Sequence, residues 1–174
     1  IINLSSLDGS NGFRLDGEAA YDSSGIVVSD AGDVNGDGFA DVIVGAPLAN
    51  PNSVLLSGSS YVVFGKSAGF DATLDLFNLD GSSGFRLDGV AERDISGAVS
   101  SAGDINGDGF ADLLVGAGSA DPNGIDSGSS YVVFGKASGF DAAMNLSSLD
   151  GNNGFRLDGA AGDVSGTSLS GAGD

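Results

Sequence analysis

The sequence contains no cysteine, no histidine and no tryptophan, and it has only six basic residues. The absence of cysteine excludes a disulfide framework and a thiolate metal site. Because histidine is absent as well, the common catalytic triads and thiol chemistry are unavailable, and we expect no enzymatic activity. No apolar run approaches the roughly 18–20 residues of a membrane-spanning helix, and no signal peptide is recognisable, so we expect no membrane insertion.

The charge is strongly one-sided, with a formal net charge of −18 at pH 7. Such a charge argues against binding to nucleic acid and disfavours anionic lipid. Among the 24 acidic residues only Glu18 and Glu92 are glutamate. Aspartate and the 31 glycines favour turns over helices. A hydrophobic content of 41% nevertheless argues against disorder, because the chain has apolar side chains to bury.

One loop occurs twice, as GDVNGDGFADVIV at 32–44 and as GDINGDGFADLLV at 103–115. Both copies place side-chain oxygens at alternate positions, a spacing that can point several oxygens at one hard divalent cation. The candidate ligands are Asp33, Asn35, Asp37 and Asp41, then Asp104, Asn106, Asp108 and Asp112. The alternative is that these are acidic turns, since Asn-Gly and Asp-Gly are common turn dipeptides. Three carboxylates within nine residues repel one another without a cation, which favours the metal.

The loop belongs to a longer repeat of about 70 residues. The string GFRLDG occurs three times, GSSYVVFGK twice, and LSSLDG or LFNLDG three times. Within one unit, apolar runs bounded by glycine and aspartate predict four short strands. In the first unit they span 25–31, 42–46, 60–65 and 85–88, and in the second 97–102, 113–117, 130–135 and 155–158; a further copy of the last strand spans 13–16. Four antiparallel strands are the unit of a β-propeller blade, so we predict an all-β fold of tandem blades.

The string GDVNGDGFADVIVGAP resembles the FG-GAP repeat of integrin α-subunit propellers and related bacterial surface proteins. The resemblance covers the chain as successive units, although the FG dipeptide appears here as Ser-Gly and the second GAP lacks its proline. It implies four-stranded blades with Ca²⁺ held in the hairpin between the first two strands. An EF-hand needs a glutamate at position 12, where this chain has Val44 and Val115. Magnesium rarely uses an all-protein cage. We therefore predict β-hairpin calcium loops, in which the carbonyls of Phe39 and Phe110 complete the ligand sets.

The repeats divide the chain into about two and a half units. We expect residues 1–24 to end a preceding blade, 25–96 and 97–165 to form two complete blades, and 166–174 to start a further one. Asp174 occupies the first ligand position of a third loop and is expected to bind nothing. A propeller needs at least about four blades. The sequence therefore predicts a segment of a longer protein, with a homo-oligomer as the alternative.

Other repeated side chains have simpler interpretations. Arg14, Arg86 and Arg156 are expected to contact acidic turns, and Tyr61 and Tyr131 to pack between blades. The polar residues that do not repeat lie in the linkers between last and first strands, which we expect to be solvated. These residues are Glu18, Tyr21, Asp22, Glu92, Arg93 and Asp94.

Three functions follow from this organisation. The first is a calcium-binding adhesion or interaction module of an extracellular surface or secreted protein, with protein or glycan ligands or other copies of the repeat as partners. The second is a structural repeat that self-assembles into a filament or surface layer. The third, a propeller scaffold of a secreted hydrolase, ranks behind them because the units are nearly identical, whereas a catalytic site makes one unit differ.

Overall fold

The computed structural model describes residues 3–137 and 139–172. Within those residues the chain forms eleven β-strands and four single-turn 3₁₀ helices, so the all-β prediction is confirmed. The strands are β1 (Arg14–Asp16), β2 (Val27–Gly32), β3 (Asp41–Ala46), β4 (Ser59–Val63), β5 (Thr73–Asp75), β6 (Gly84–Asp88), β7 (Ala98–Gly103), β8 (Asp112–Ala117), β9 (Ser129–Val133), β10 (Ala143–Asn145) and β11 (Gly154–Asp158). The 3₁₀ helices span Leu4–Ser6, Pro51–Ser53, Leu76–Asn78 and Leu146–Ser148. None of these helices has the length or apolarity of a membrane span. Asp174 lies outside the described residues.

Two antiparallel sheets repeat the same strand order. Strands β2, β3, β4 and β6 form the antiparallel part of the first sheet, which β10 extends in parallel, and β7, β8, β9 and β11 form the second. Each strand lies within two residues of its predicted position. Because consecutive strands are antiparallel, the β2–β3 and β4–β6 connections lie at one end of the strands of the first sheet, and the β3–β4 and β6–β7 connections lie at the other end. We call the first end the loop edge and the second end the linker edge.

The structure adds a short strand that the sequence analysis missed. Strand β5 pairs in parallel with β1, and β10 pairs in parallel with β6. Each short strand therefore reaches back to the last strand of the preceding unit and ties neighbouring units together. It was not predicted because three residues are too few for a periodic pattern. A 3₁₀ turn follows at once, where Asp75 accepts a hydrogen bond from the amide of Phe77 at 3.0 Å.

The main core lies between the two sheets, where β2 and β3 pack against β7. Alternation along each strand sends one set of apolar side chains into this core. Phe85 stacks on Phe140 with ring centroids 4.5 Å apart, which extends the core to the loop after β9. The core includes Ile43, Val62 and Phe85 from the first sheet, and Leu113, Val115 and Tyr131 from the second.

Two glycines set how closely successive units approach. A Cβ on Gly45 of β3 would lie 2.0 Å from the carbonyl oxygen of Gly97, at the start of the second unit. A Cβ on Gly97 would in turn lie 2.9 Å from the Cα of Pro47. The glycine of the FG position in one unit therefore packs on the GAP segment of the unit before it. Side chains at Gly45 or Gly97 would push the two sheets apart.

Candidate metal loops

The two predicted metal loops lie side by side at the loop edge. The first connects β2 to β3 and the second connects β7 to β8. The amide of Ala111 donates to the carbonyl of Asp33 at 3.0 Å, so the loops are joined through their backbones. The ring of Phe110 occupies the space beside Gly36, where a Cβ would meet it at 2.3 Å. The structure thus brings both candidate sites to one surface.

Backbone amides hold the first loop in a tight curl around its acidic side chains. The carboxylate of Asp33 accepts from the amides of Asp37 at 3.0 Å and Gly38 at 2.9 Å. The side-chain oxygen of Asn35 accepts from the amide of Asp37 at 3.0 Å. Asp37 in turn accepts from the amide of Phe39 at 2.9 Å. These bonds hold three oxygen-bearing side chains from alternate positions within one loop.

Asp41 lies at the end of the first loop and is its buried member. It is the first residue of β3 and only 1% exposed. Its two oxygens accept hydrogen bonds from the amides of Val34 at 2.9 Å and Gly65 at 2.8 Å. Burial raises the pKa of the Asp41 carboxyl to about 6, and the carboxylates of Asp37 and Asp33 add to the rise. Both effects disfavour the charged form of the Asp41 carboxyl, whereas a bound cation would favour it.

The second loop repeats these bonds and adds one, from the amide of Gly107 to the carboxylate of Asp104 at 2.8 Å. Asp104 accepts from the amides of Asp108 and Gly109 at 3.0 and 2.9 Å, and Asp108 accepts from the amide of Phe110 at 3.0 Å. Asp112 is fully buried and accepts from the amides of Ile105 and Gly135, both at 2.9 Å. Burial raises the pKa of the Asp112 carboxyl, and the Asp108 carboxylate adds to the rise.

The donor set of each loop fits a hard cation such as calcium, because every side chain in it offers oxygen. Each carboxylate oxygen that accepts one amide proton keeps a second lone pair for a metal. Within residues 3–137 and 139–172, no three acidic side chains converge closely enough to form a metal cage by themselves. The three carboxylates of each loop would therefore have to move closer together to bind an ion, with the asparagine oxygen and a backbone carbonyl as further ligands.

Comparison with known proteins places these loops in a family. The FG-GAP repeat family matches residues 28–63 and 96–133. Each matched segment runs from the first strand of a sheet, through the acidic loop, to its third strand. The chain contains FG-GAP repeats. Its mostly antiparallel sheets are thus of the propeller type.

The relatives of these FG-GAP repeats include integrin α subunits. Integrin alpha-6 of Gallus gallus is 33% identical over 103 residues, which is 59% of this chain and 9% of that protein. Integrin alpha-PS5 of Drosophila melanogaster is 39% identical over 87 residues, or 50% of this chain and 8% of that protein. Phosphatidylinositol-glycan-specific phospholipase D of Bos taurus is 33% identical over 108 residues, which is 62% of this chain and 13% of that protein. The chain therefore spans a small fraction of the relatives it matches.

The linkers of the FG-GAP repeats differ from the sequence prediction. Tyr21 is exposed as expected, but Asp22 and Asp94 are buried, and Glu18 is bound by two side chains of the first sheet. Burial is the largest contribution that raises the pKa values of the Asp22 and Asp94 carboxyls. Sequence reasoning missed the role of Glu18. The available signal was that glutamate is rare in this chain and that Glu18 does not repeat.

Proposed function

We propose that this chain is part of an extracellular interaction module whose FG-GAP repeats are stabilised by calcium. The observation that carries the proposal is the pair of loops at 33–41 and 104–112, which have the same oxygen-bearing residues and the same hydrogen bonds within FG-GAP repeats. Similarity to integrin α subunits supports a place at the cell surface or in a secreted protein, with protein or glycan ligands. The module would serve adhesion and would have no catalytic role.

Each loop would hold one Ca²⁺ through the same five positions. Calcium accepts six to eight oxygen ligands, so water would fill the remaining places. The proposed ligands are Asp33, Asn35, Asp37, the carbonyl of Phe39 and Asp41, and Asp104, Asn106, Asp108, the carbonyl of Phe110 and Asp112. We further propose that the units are residues 25–96 and 97–165, with 1–24 and 166–174 belonging to their neighbours.

A calorimetric titration tests the calcium sites. We expect two Ca²⁺ ions to bind per chain, and Mg²⁺ to bind much more weakly because it requires a smaller octahedral shell. The variant Asp37→Asn should remove one of the two binding events. Asp71→Asn is the matched control, since it deletes the same charge from an exposed position outside the loops. A stoichiometry of zero, or an equal loss in the control variant, would contradict the proposal.

A second function, self-assembly of the repeats, is favoured by apolar surface around β2. Ile26 is 66% exposed, and Val27 and Val28 are exposed beside it. An open cavity of about 390 Å³ lies next to Val28 and is lined by Leu4, Leu7 and Phe13. Exposed apolar patches of this kind mark protein interaction surfaces. A hydrolase scaffold is supported only by the phospholipase D relatives, over part of the chain.

Self-association is therefore expected when the chain is concentrated. Light scattering after size exclusion should show a mass above that of the 17.0 kDa monomer at micromolar concentration. Val28→Lys should restore the monomer, because it places a charge in the apolar surface. Phe77→Ser is the control, since Phe77 is exposed in a 3₁₀ turn instead of on the sheet. A monomer at every concentration would rule out this assembly surface.

A further inference from the structure

An arginine and an aspartate form the same bidentate ion pair in every copy of the FRLD strand. The side chains of Arg14 and Asp16 lie on one face, because they are two residues apart on a strand. Nε and Nη2 of the arginine bind the two carboxylate oxygens, at 2.6 and 2.8 Å in this copy. Arg86 binds Asp88 and Arg156 binds Asp158 through the same two nitrogens. Each arginine therefore has Nη1 left for another partner.

In the first unit that partner is Glu18. Nη1 of Arg86 donates to both carboxylate oxygens of Glu18, at 2.8 and 3.1 Å. The hydroxyl of Tyr61 donates to the same carboxylate at 2.9 Å. The cavity around this group has a volume of only about 120 Å³. Arg86 and Tyr61 thus form a carboxylate receptor at the linker edge, and the chain fills it with its own side chain.

The second unit builds the same receptor without filling it. Tyr131 and Arg156 replace Tyr61 and Arg86, and the residue at the Glu18 position is Val90. Among the described residues, Nη1 of Arg156 has no acceptor and the Tyr131 hydroxyl makes no hydrogen bond to a carboxylate. The cavity between them has a volume of about 260 Å³. The side chain of Arg156 is 46% exposed, against 22% for Arg86.

We propose that the cavity at Arg156 and Tyr131 binds a carboxylate from outside the chain, in the position that Glu18 occupies in the first unit. The ligand class is a carboxylate on a short methylene arm, as found in a glutamate side chain or a free alkanoate. Arg156 supplies the charged donor and Tyr131 a second donor to the same group. Charge-assisted bonds of this kind are the strongest hydrogen bonds that proteins make.

Neighbouring acidic residues limit the affinity of the cavity and shape its selectivity. Asp94 lies in the lining as Asp22 does in the first unit, where it does not prevent the binding of Glu18. Glu92 and Asp121 add negative charge that the first unit lacks. We therefore expect millimolar affinity for a monocarboxylate and weaker binding of dicarboxylates.

An NMR titration of the ¹⁵N-labelled chain with sodium propionate tests the site, with sodium chloride as the reference salt. Propionate has the carbon skeleton of a glutamate side chain cut at Cα. We expect saturable shifts of Arg156 Nε and of the amides around Val90. The variant Val90→Glu should weaken propionate binding at least tenfold, because the new carboxylate competes for the same donors.

Conservative variants separate the site from general effects on folding. Tyr131→Phe should weaken propionate binding several-fold, whereas its matched control Tyr61→Phe should leave it unchanged, because Glu18 already fills the first cavity. Undiminished binding in Val90→Glu or in Tyr131→Phe would overturn the proposal. Absence of saturable shifts at Arg156 in the unmodified chain would overturn it too.

The source of the carboxylate is resolved by two peptides. If N-acetyl-Gly-Glu-Gly-amide binds more tightly than propionate and the glutamine peptide does not bind, the occupant is an acidic side chain of a protein. Equal affinity for propionate and the glutamate peptide identifies a free small carboxylate. The biological use of this site rests on the proposed role as an interaction module, but binding of the carboxylate does not. The calcium titration tests the loop edge and the propionate titration tests the linker edge, so failure of one proposal is distinguishable from failure of the other.

Discussion

Chelation of calcium should lower the melting temperature of this chain by roughly 10–20 °C. A ligand that binds only the folded state adds about 2.7 kcal/mol at a concentration of about 100 Kd, so two sites add about 5 kcal/mol. For a chain of this length, 1 kcal/mol corresponds to about 2–4 °C. The physical source is the acidic side chains of each loop, among which Asp41 and Asp112 are buried and have raised pKa values.

The measurement is a pair of thermal unfolding scans, in excess calcium and in excess EGTA. Asp37→Asn and Asp108→Asn should each remove about half of the difference between the scans, since each weakens one loop. Both side chains are at exposed loop positions, so the variants should unfold close to the unmodified chain in EGTA. Asp71→Asn should keep the full difference. Identical scans with and without calcium would refute the calcium proposal.

Most of the architecture could be predicted from the sequence because the repeat contains each strand and loop pattern at least twice. Apolar runs next to glycine and aspartate predicted the strands. Alternate oxygens predicted metal loops; the structure shows hydrogen-bonded acidic loops at these positions, and their use as metal sites stays a prediction. The short strands β5 and β10 were missed because they form by pairing with another unit, which no local pattern reveals. The solvated-linker prediction was wrong for Asp22 and Asp94, since their burial depends on tertiary contacts.

The prediction for the three arginines named the wrong main partner. Arg14, Arg86 and Arg156 were expected to contact acidic turns, but each pairs first with the aspartate two residues along its own strand. Strand alternation placed both side chains on one face, so this pair could have been predicted. The contact of Arg86 with Glu18 crosses 68 residues and could not.

Replacement of Gly45 by alanine should destabilise the chain by about 3 kcal/mol or more, which corresponds to a fall in melting temperature of roughly 6–12 °C. The new Cβ would lie 2.0 Å from the carbonyl oxygen and 3.0 Å from the carbonyl carbon of Gly97. Both are backbone atoms, so no side chain can rotate away and the sheets must separate. Unfolding in urea gives the free energy, with the m-value confirming that the unfolded state is unchanged.

Two further alanine variants identify the clash as the cause. Gly69 has φ +76 and no atom near its Cβ position, so Gly69→Ala should cost only the roughly 1–2 kcal/mol of the left-handed backbone. Gly116 repeats the approach of Gly45, with the carbonyl oxygen of Gly166 at 1.9 Å. The segment at Gly166 borders the exposed Val164 and can shift outward, whereas Gly97 leads into strand β7, which is half-buried and packs against β2 and β3. Gly116→Ala should therefore destabilise less than Gly45→Ala. If Gly45→Ala costs no more than Gly69→Ala, close packing of the FG glycine on the GAP segment does not set the spacing between units.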